Sequence, residues 1–370
     1  MLNKESQEAI SNIKTVERNG GSFKPLWEEF CKKNAIPVYY TIGWLEFCRC
    51  ITRENFISDA SFLITKDNKP VSICPLIMES GRYGKQFSVK NGHLMRAPAF
   101  EATLSFKERK KIEKAVFLHI EELARAEEVL LHRALIDPML IIDQRFYCNY
   151  LSEFSYVDCS ILTNIIDLKL PEQTLWGNLR KSYRPLIKGE TKKYEVMFLD
   201  FKNISERLFA EFENLYFLAS GKHVYSRQEW AILCELVRQD KGMLTVAKTG
   251  NKAIGGAYFN HDSGKAYYSL GANHPQYEKN YFIGHRLIWE AITYYISRGF
   301  RWLELGWQFY PEQLLEKPSE KEINISYFKR GFGGMNFPLH RGIRFFNDEI
   351  KKKFIDESLS AYRSGRDKNV

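Results

Sequence analysis

Apolar residues recur along this chain in two rhythms, and the switches between them mark its elements. Leu26, Trp27 and Phe30 fall on one side of residues 22 to 34, and residues 41 to 52 repeat the pattern, so two short amphipathic helices are predicted. The β-rich runs Ser61–Thr65 and Val71–Met78 flank Lys66-Asp67-Asn68-Lys69-Pro70, a polar segment whose turn chemistry predicts a hairpin. Beyond Gly81, Gly84 and Gly92, Ile112, Val116, Ile120 and Leu123 stand at helical spacing within Lys107–Arg125. Val129–Ile136 follows as a buried strand. The first half therefore reads as an α/β unit of its own.

The second half opens with a strand-like run over residues 160 to 170, and Pro171 starts a new segment, which puts a domain boundary near residue 155. Thr174–Lys193 is a basic helical stretch expected to kink at Pro185, which has no amide donor. Ile204, Leu208, Phe212 and Leu215 define one helix face. Ser226-Arg-Gln-Glu229 is a capping box ahead of a helix that buries Trp230, Leu233, Cys234 and Val237. Met243–Lys248, Ala253–Asn260 and Ala266–Gly271 are three strands joined by tight loops, which demand an antiparallel meander. Gly284–Arg298 is a helix closed by Gly299, and Arg301–Leu305 returns as a parallel strand. The fold class expected is α/β (α+β), in two modules: 1–154 and 155–346, with 347–370 as a C-terminal helix or tail. Each module is a mixed, mainly antiparallel sheet flanked by helices.

Composition narrows the function. A chain that is 44% hydrophobic and 14% aromatic can fill large cores. The first residues lack the apolar core of an export signal, and Val129–Ile142 is broken by His132, Arg133 and Asp137, short of the ~20 apolar residues of a membrane span. A cytoplasmic protein is expected. The seven cysteines are odd in number and no second pair follows Cys48-x-Cys50, so buried reduced thiols are expected, with no metal. Serine-hydrolase, zinc-protease and Walker motifs are all missing. The net charge of +9 suits a polyanionic partner: a phosphorylated cofactor, a nucleotide-linked substrate, RNA or an anionic membrane surface.

Four features carry chemistry. Tyr277-Glu-Lys279-Asn280-Tyr-Phe-Ile-Gly284-His285 lies between the third meander strand and the next helix, where free amides and the helix dipole favour phosphate; the plain alternative is an ordinary turn. Gly271 and Gly306 are read as the ends of two strands that part, allowing close approach of a ligand. Glu304 shares a strand face with Trp302. If that face lines a cleft it is a base for an amine or orients it; if not, it is an exposed or ion-paired strand residue. Lys329, in Tyr327-Phe-Lys-Arg-Gly331-Phe-Gly333-Gly334, is a cation framed by aromatics and glycines, suited to a phosphate or a developing oxyanion. Arg180, Arg184, Lys188 and Lys192 align as a basic stripe, read mainly as a solvated face.

From about Thr174 to Phe346 the sequence resembles the FemAB-like, BioF2-like branch of the GNAT superfamily. The segments concerned are Leu175-Trp-Gly-Asn-Leu-Arg-Lys-Ser-Tyr-Arg184, the strands around Ala257-Tyr258 and Tyr267–Ala272, Ser297–Gly306 and Phe328–Gly334. Ile42-Gly-Trp44-Leu and the hairpin ending Cys74-Pro75-Leu76 resemble the family's first module. The resemblance implies tandem GNAT-like modules and transfer of an acyl group from acyl-CoA, such as acetyl-CoA, to an amine. The acceptor implied is a small molecule, including nucleotide- or lipid-linked amino sugars of envelope and polysaccharide pathways. It also implies site roles: Glu304, Lys329 and Tyr268 as catalytic residues; Gly271, Lys279, Asn280, Gly284 and His285 against the donor; Arg184, Trp307, Gln308 and Tyr327 against the substrate. Two departures stand out: Glu304-Leu-Gly306 replaces a common Asp, and there is no long charged heptad hairpin like the arm of the peptidoglycan enzymes. Two alternatives stand beside this reading, an aminoacyl-tRNA-dependent transferase and a catalytically silent GNAT-like binding module.

Overall fold

The computed structural model of the chain describes residues 12–90, 92–144, 149–190, 193–278, 281–311, 313, 315, 316 and 318–366. The chain divides into two compact units: residues 1–161, 312–317 and 339–370 form the first, and 162–311 and 318–338 the second.

The first unit begins with β1 (Ile13–Glu17), α1 (Phe23–Lys33) and α2 (Ile42–Thr52), then β2 (Phe56–Asp59) and β3 (Phe62–Lys66). Next come β4 (Lys69–Cys74), β5 (Ile77–Gly81), β6 (Gly84–Phe87), β7 (Met95–Arg96) and β8 (Ala99–Phe100). Helix α3 (Phe106–Ala126), strand β9 (Leu131–Leu135), the short α4 (Pro138–Ile141) and β10 (Val157–Asp158) complete its N-terminal part. Ser105 and Glu108 cap α3 reciprocally, so the helix starts where its first orphan amides find partners. The run expected as one strand, Val71–Met78, is two strands. Pro75 has no amide for a ladder, and the chain passes there from the four-stranded sheet β1-β3-β4-β8 into the larger sheet that holds β5, β6 and β9. Trp27, Phe30, Tyr40, Leu63 and Ile73 pack together under α1.

The second unit runs β11 (Ile161–Asp167), α5 (Glu172–Asn178), α6 (Tyr183–Glu190), β12 (Glu195–Leu199), α7 (Glu206–Ser220) and α8 (Arg227–Arg238). It continues with β13 (Gly242–Thr249), β14 (Lys252–Asp262), β15 (Lys265–Asn273), α9 (Pro275–Glu278), α10 (Ile283–Ser297), β16 (Trp302–Gln308), α11 (Glu320–Arg330) and β17 (Met335–Leu339). Its sheet has the order β12-β13-β14-β15-β16-β11-β17. The expected meander is β13, β14 and β15, antiparallel throughout, and the expected parallel return is β16 against β15. The expected kinked helix is instead two helices. Pro185 sits in the first turn of α6, where a missing amide is not felt, and Leu179–Ser182 break the run. Ser226 and Glu229 form the predicted capping box of α8.

Helix α10 buries Leu287, Ile288, Ala291, Ile292 and Tyr295 against Ile166, Phe259, Leu303 and Leu305 of the sheet. Burial of each leucine and isoleucine among them is worth about 1.5–3 kcal/mol, so this helix is firmly seated.

The final segment returns to the first unit. Strand β18 (Arg341–Phe345) pairs with β9 and β10, and α12 (Asp348–Arg366) packs on β18. Residues 339–346 therefore do not belong to the second module as expected, and of the expected C-terminal helix or tail, Asp348–Arg366 is a helix, part of the first unit. The two units repeat one plan. In the first, β5, β6, α3 and β9 follow in order with β9 parallel to β6; in the second, β14, β15, α10 and β16 do the same. Each return strand has an antiparallel outer neighbour, β18 on β9 and β11 on β16. The fold is two GNAT-like α/β modules in tandem.

Candidate active site

Strands β15 and β16 pair only from Lys265–Trp302 to Tyr267–Glu304 and then diverge. Tyr268 and Leu305 are the first residues beyond this fork. A bulge at Ser269 in β15 and another in β16 opposite Asn164–Ile165 increase the local bend. Gly271 and Gly306 do not end their strands as expected; both lie inside them, a short way past the fork.

A cleft of about 950 Å³ opens at this point. Its walls are Tyr268 to Asn273 of β15, Tyr281 to Gly284 with His285, Leu287 and Ile288 around the start of α10, Tyr216 and Ala219 of α7, and Glu320, Lys321, Asn324, Ile325, Phe328 and Lys329 of α11. Helix α10 begins at Ile283, and Phe282 before it supplies no side-chain cap, so the dipole end faces the cleft unblocked by a side-chain acceptor.

Lys329 reaches the fork. Its Nζ lies 2.8 Å from where a Cβ on Gly306 would be and 5.7 Å from the Tyr268 ring centroid. Gly306 has φ +99°, so the bend and the space for the ammonium both need glycine. Burial pushes the Lys329 ammonium down to about 8, partly opposed by the charge of Glu304. Burial raises the Tyr268 hydroxyl, which stays protonated at neutral pH. That hydroxyl occupies the space a Cβ on Gly271 would take, at 2.0 Å. His285 stands edge-on to Tyr183 and Phe328, with centroids 4.3 and 5.0 Å away. Burial and then the charge of Arg180 lower it to about 4, so it is a neutral imidazole at pH 7.

Residues 178–313 match the family model described as Acetyltransferase (GNAT) domain. The second unit carries a GNAT domain. Several solved structures share the fold of the whole chain. FemX is 10% identical with a TM-score of 0.65, over 92% of this chain and 99% of that one. L-PGS from Bacillus licheniformis is 10% identical with a TM-score of 0.52, over 90% and 95%. A conserved protein of unknown function from Bacteroides thetaiotaomicron is 11% identical with a TM-score of 0.51, over 90% and 98%. The chain as a whole has the fold of these structures, with a GNAT domain in its second unit. No curated protein matches the sequence.

Within the second unit the structure brings Tyr268, Gly271, Gly284, His285 and Lys329 to one cleft. Lys279, Asn280 and the stripe residue Lys192 lie outside the described residues. Glu304 is only 6% exposed and is not part of the described cleft wall, so it does not stand where a base would meet an acceptor; Thr163 Oγ1 donates to its Oε1 at 2.5 Å. Arg184 is also off the wall. Its guanidinium donates to the carbonyls of Gly177 and Leu179, closing the end of α5. Gln308 is fully buried, accepting from Arg330 at 3.1 Å. Trp307 rests edge-on to Phe309, and Tyr327 is exposed with the Arg180 guanidinium 3.7 Å from its ring centroid. None of these four lines the cleft. The glycines after Lys329 answer to packing rather than to a ligand. A Cβ on Gly331 would strike Tyr183, one on Gly333 would strike Asn178, and one on Gly334 would lie 2.6 Å from the Ile165 carbonyl.

Sequence reasoning missed Tyr216, Phe282, Asn273 and Thr163. Tyr216 follows Phe212 by four residues, a signal already present in the helical spacing of α7. Thr163 is a polar residue within the strand-like run 160–170, and nothing in the spacing names its partner.

Proposed function

We propose that this protein is an N-acyltransferase that moves an acyl group from an acyl-CoA thioester, such as acetyl-CoA, to a primary amine. The observation that carries the reading is the fork between β15 and β16, with the Lys329 ammonium and the Tyr268 hydroxyl beside it and the open start of α10 on the same cleft. The donor's phosphates lie at the α10 terminus, near Gly284, where amides and the dipole favour negative charge. Its acyl carbonyl lies at the fork, and Lys329 donates to the carbonyl oxygen. As the amine nitrogen attacks carbon, the oxygen gains charge and this bond strengthens, which is where an ammonium lowers the barrier most. Collapse breaks the C–S bond; Tyr268, protonated at neutral pH, gives its hydroxyl proton to the thiolate and takes back the N–H proton of the attacking nitrogen, so the products are the amide and the free thiol. The hydroxyls of Tyr216 and Tyr268 and the ring of the half-exposed Phe282 suit an amphipathic acceptor such as an amino sugar.

Thermal shift tests the donor. Acetyl-CoA at about 100 times its Kd stabilises by about 2.7 kcal/mol and raises Tm. Gly284→Asp is expected to abolish that rise with the parent Tm retained, since its Cβ meets Phe328 and Asn273 only at 3.5 and 3.6 Å. A shift with aminoacyl-tRNA and none with CoA thioesters moves the donor assignment to tRNA. No shift with either leaves a silent binding module.

A further inference from the structure

We infer that Thr163 and Glu304 form a positioning pair for Lys329: the buried hydroxyl pins the carboxylate, and the carboxylate supplies the counter-charge that holds the cleft ammonium at the fork. The inference rests on Lys329 being the group that polarises the donor carbonyl.

The pair arises from the register of β11 on β16. Ile165 stands opposite Glu304 and Asn164 opposite Gly306, so Leu305 is the extra residue of a bulge. Thr163 lies two residues from Ile165 on the same strand face, which makes it the diagonal neighbour of Glu304. Thr163 is 0% exposed. A carboxylate at such depth is costly unless donors reach it, and the 2.5 Å bond from Thr163 is one of them. Leu303 and Leu305 pack into the core under α10, whereas Glu304 points to the opposite face and away from the cleft wall. It therefore acts through another residue. That residue is Lys329, whose Nζ sits against Gly306, two positions further along β16.

Among the described residues no hydrogen bond or ion pair holds the Lys329 ammonium, so its charge is set by burial and by charges acting at a distance. The titratable and charged groups around it are few. Strand β16 offers Glu304, β15 offers Tyr268, α7 offers Tyr216, the approach to α10 offers Tyr281 and α10 itself His285 beyond Phe328, and α11 offers Glu320, Lys321 and Arg330. Tyr268 and His285 are neutral at pH 7, and Arg330 is turned to Gln308 and Tyr310. Glu304 is the charge that opposes burial at Lys329.

The experiment is the pH profile of kcat/KM for acetyl-CoA in the parent and in Glu304→Gln, Thr163→Val and Thr163→Ser. The parent is expected to lose activity as pH rises through about 8, where Lys329 gives up its proton. Glu304→Gln moves that fall to lower pH by about one unit, because an opposite charge has been removed. Thr163→Val moves it the same way, and Thr163→Ser, which keeps the hydroxyl, leaves it at the parent pH. Both Thr163 variants lower Tm, one through a lost hydrogen bond and the other through a lost methyl, so a purely structural role would affect the two profiles alike. In the Glu304→Gln background, Thr163→Val has no further effect on the profile. The pH dependence of reductive methylation at Nζ reads the same shift without turnover. Unmoved profiles and methylation in Thr163→Val overturn the pairing. A fall of the low-pH plateau by 100-fold in Glu304→Gln, with the alkaline limb in place, overturns it too and makes Glu304 a base. If Lys329→Met keeps full turnover, the proposed function itself has failed and the pairing falls with it.

Discussion

Replacing Lys329 with methionine separates catalysis from folding, because the structure predicts opposite effects on the two. The ammonium is expected to contribute to kcat/KM as one oxyanion donor does, about 2.7–4 kcal/mol, or 100- to 1,000-fold. Its effect on stability has the reverse sign. Burial lowers the lysine from 10.5 to about 8, so the charged form is less favourable in the folded protein than in the unfolded chain by roughly 3 kcal/mol. That cost is fully present below pH 8 and fades as pH rises from 8 towards 10.5, where the unfolded lysine also loses its proton. Methionine keeps the apolar stem and forfeits no ion pair with a described residue. At pH 7 the variant should therefore melt about 5 °C higher than the parent, with the gain shrinking above pH 8. Free-thiol release from acetyl-CoA follows turnover, and the donor-induced Tm shift confirms binding in the same samples. A variant that melts lower than the parent while turning over at the parent rate would refute the reasoning, since it would show a lysine that stabilises the fold and does nothing at the fork.

Gly271→Ala places a methyl 2.0 Å from the present position of the Tyr268 hydroxyl, a flexible end that yields. Folding should persist while turnover falls about 100-fold, the effect of displacing a reacting group by about 1 Å, as steady-state kinetics would show. Gly334→Ala meets the Ile165 carbonyl at 2.6 Å with φ at +82°, so a loss of about 2 kcal/mol and a drop of several degrees in Tm are expected by calorimetry. His285 is lowered to about 4 by burial and by Arg180, so the stability tied to its neutral form is whole above pH 6.5 and is lost as pH falls towards 4. His285→Phe should flatten part of that acid slope in a series of melts between pH 7 and 4.

Much of the second unit was legible in the chain. Short polar loops between β13, β14 and β15 leave no room for anything but antiparallel neighbours, and a helix of 15 residues before β16 is long enough to carry the chain back to a parallel position. Lys329, Gly284 and His285 were marked by chemistry that core packing does not require, and the structure sets all three on one cleft. Spacing also placed Glu304 opposite Leu303 and Leu305, the face it takes.

Tertiary structure decided the rest, because periodicity states which side of an element is buried and never what it is buried against. The pairing of β15 and β16 stops after Tyr267–Glu304, and only that divergence turns two strand interiors into a cleft. Glu304 lies under the wall rather than in it because a bulge in β16 and the neighbouring β11, 141 residues earlier in the chain, present Thr163 to its carboxylate. Arg184 became the clamp on α5 because Leu179–Ser182 break the helix and leave carbonyls to satisfy. Strand β18 joined the first unit because β9 had an unfilled edge, a need invisible along the sequence and met by residues more than 200 positions away.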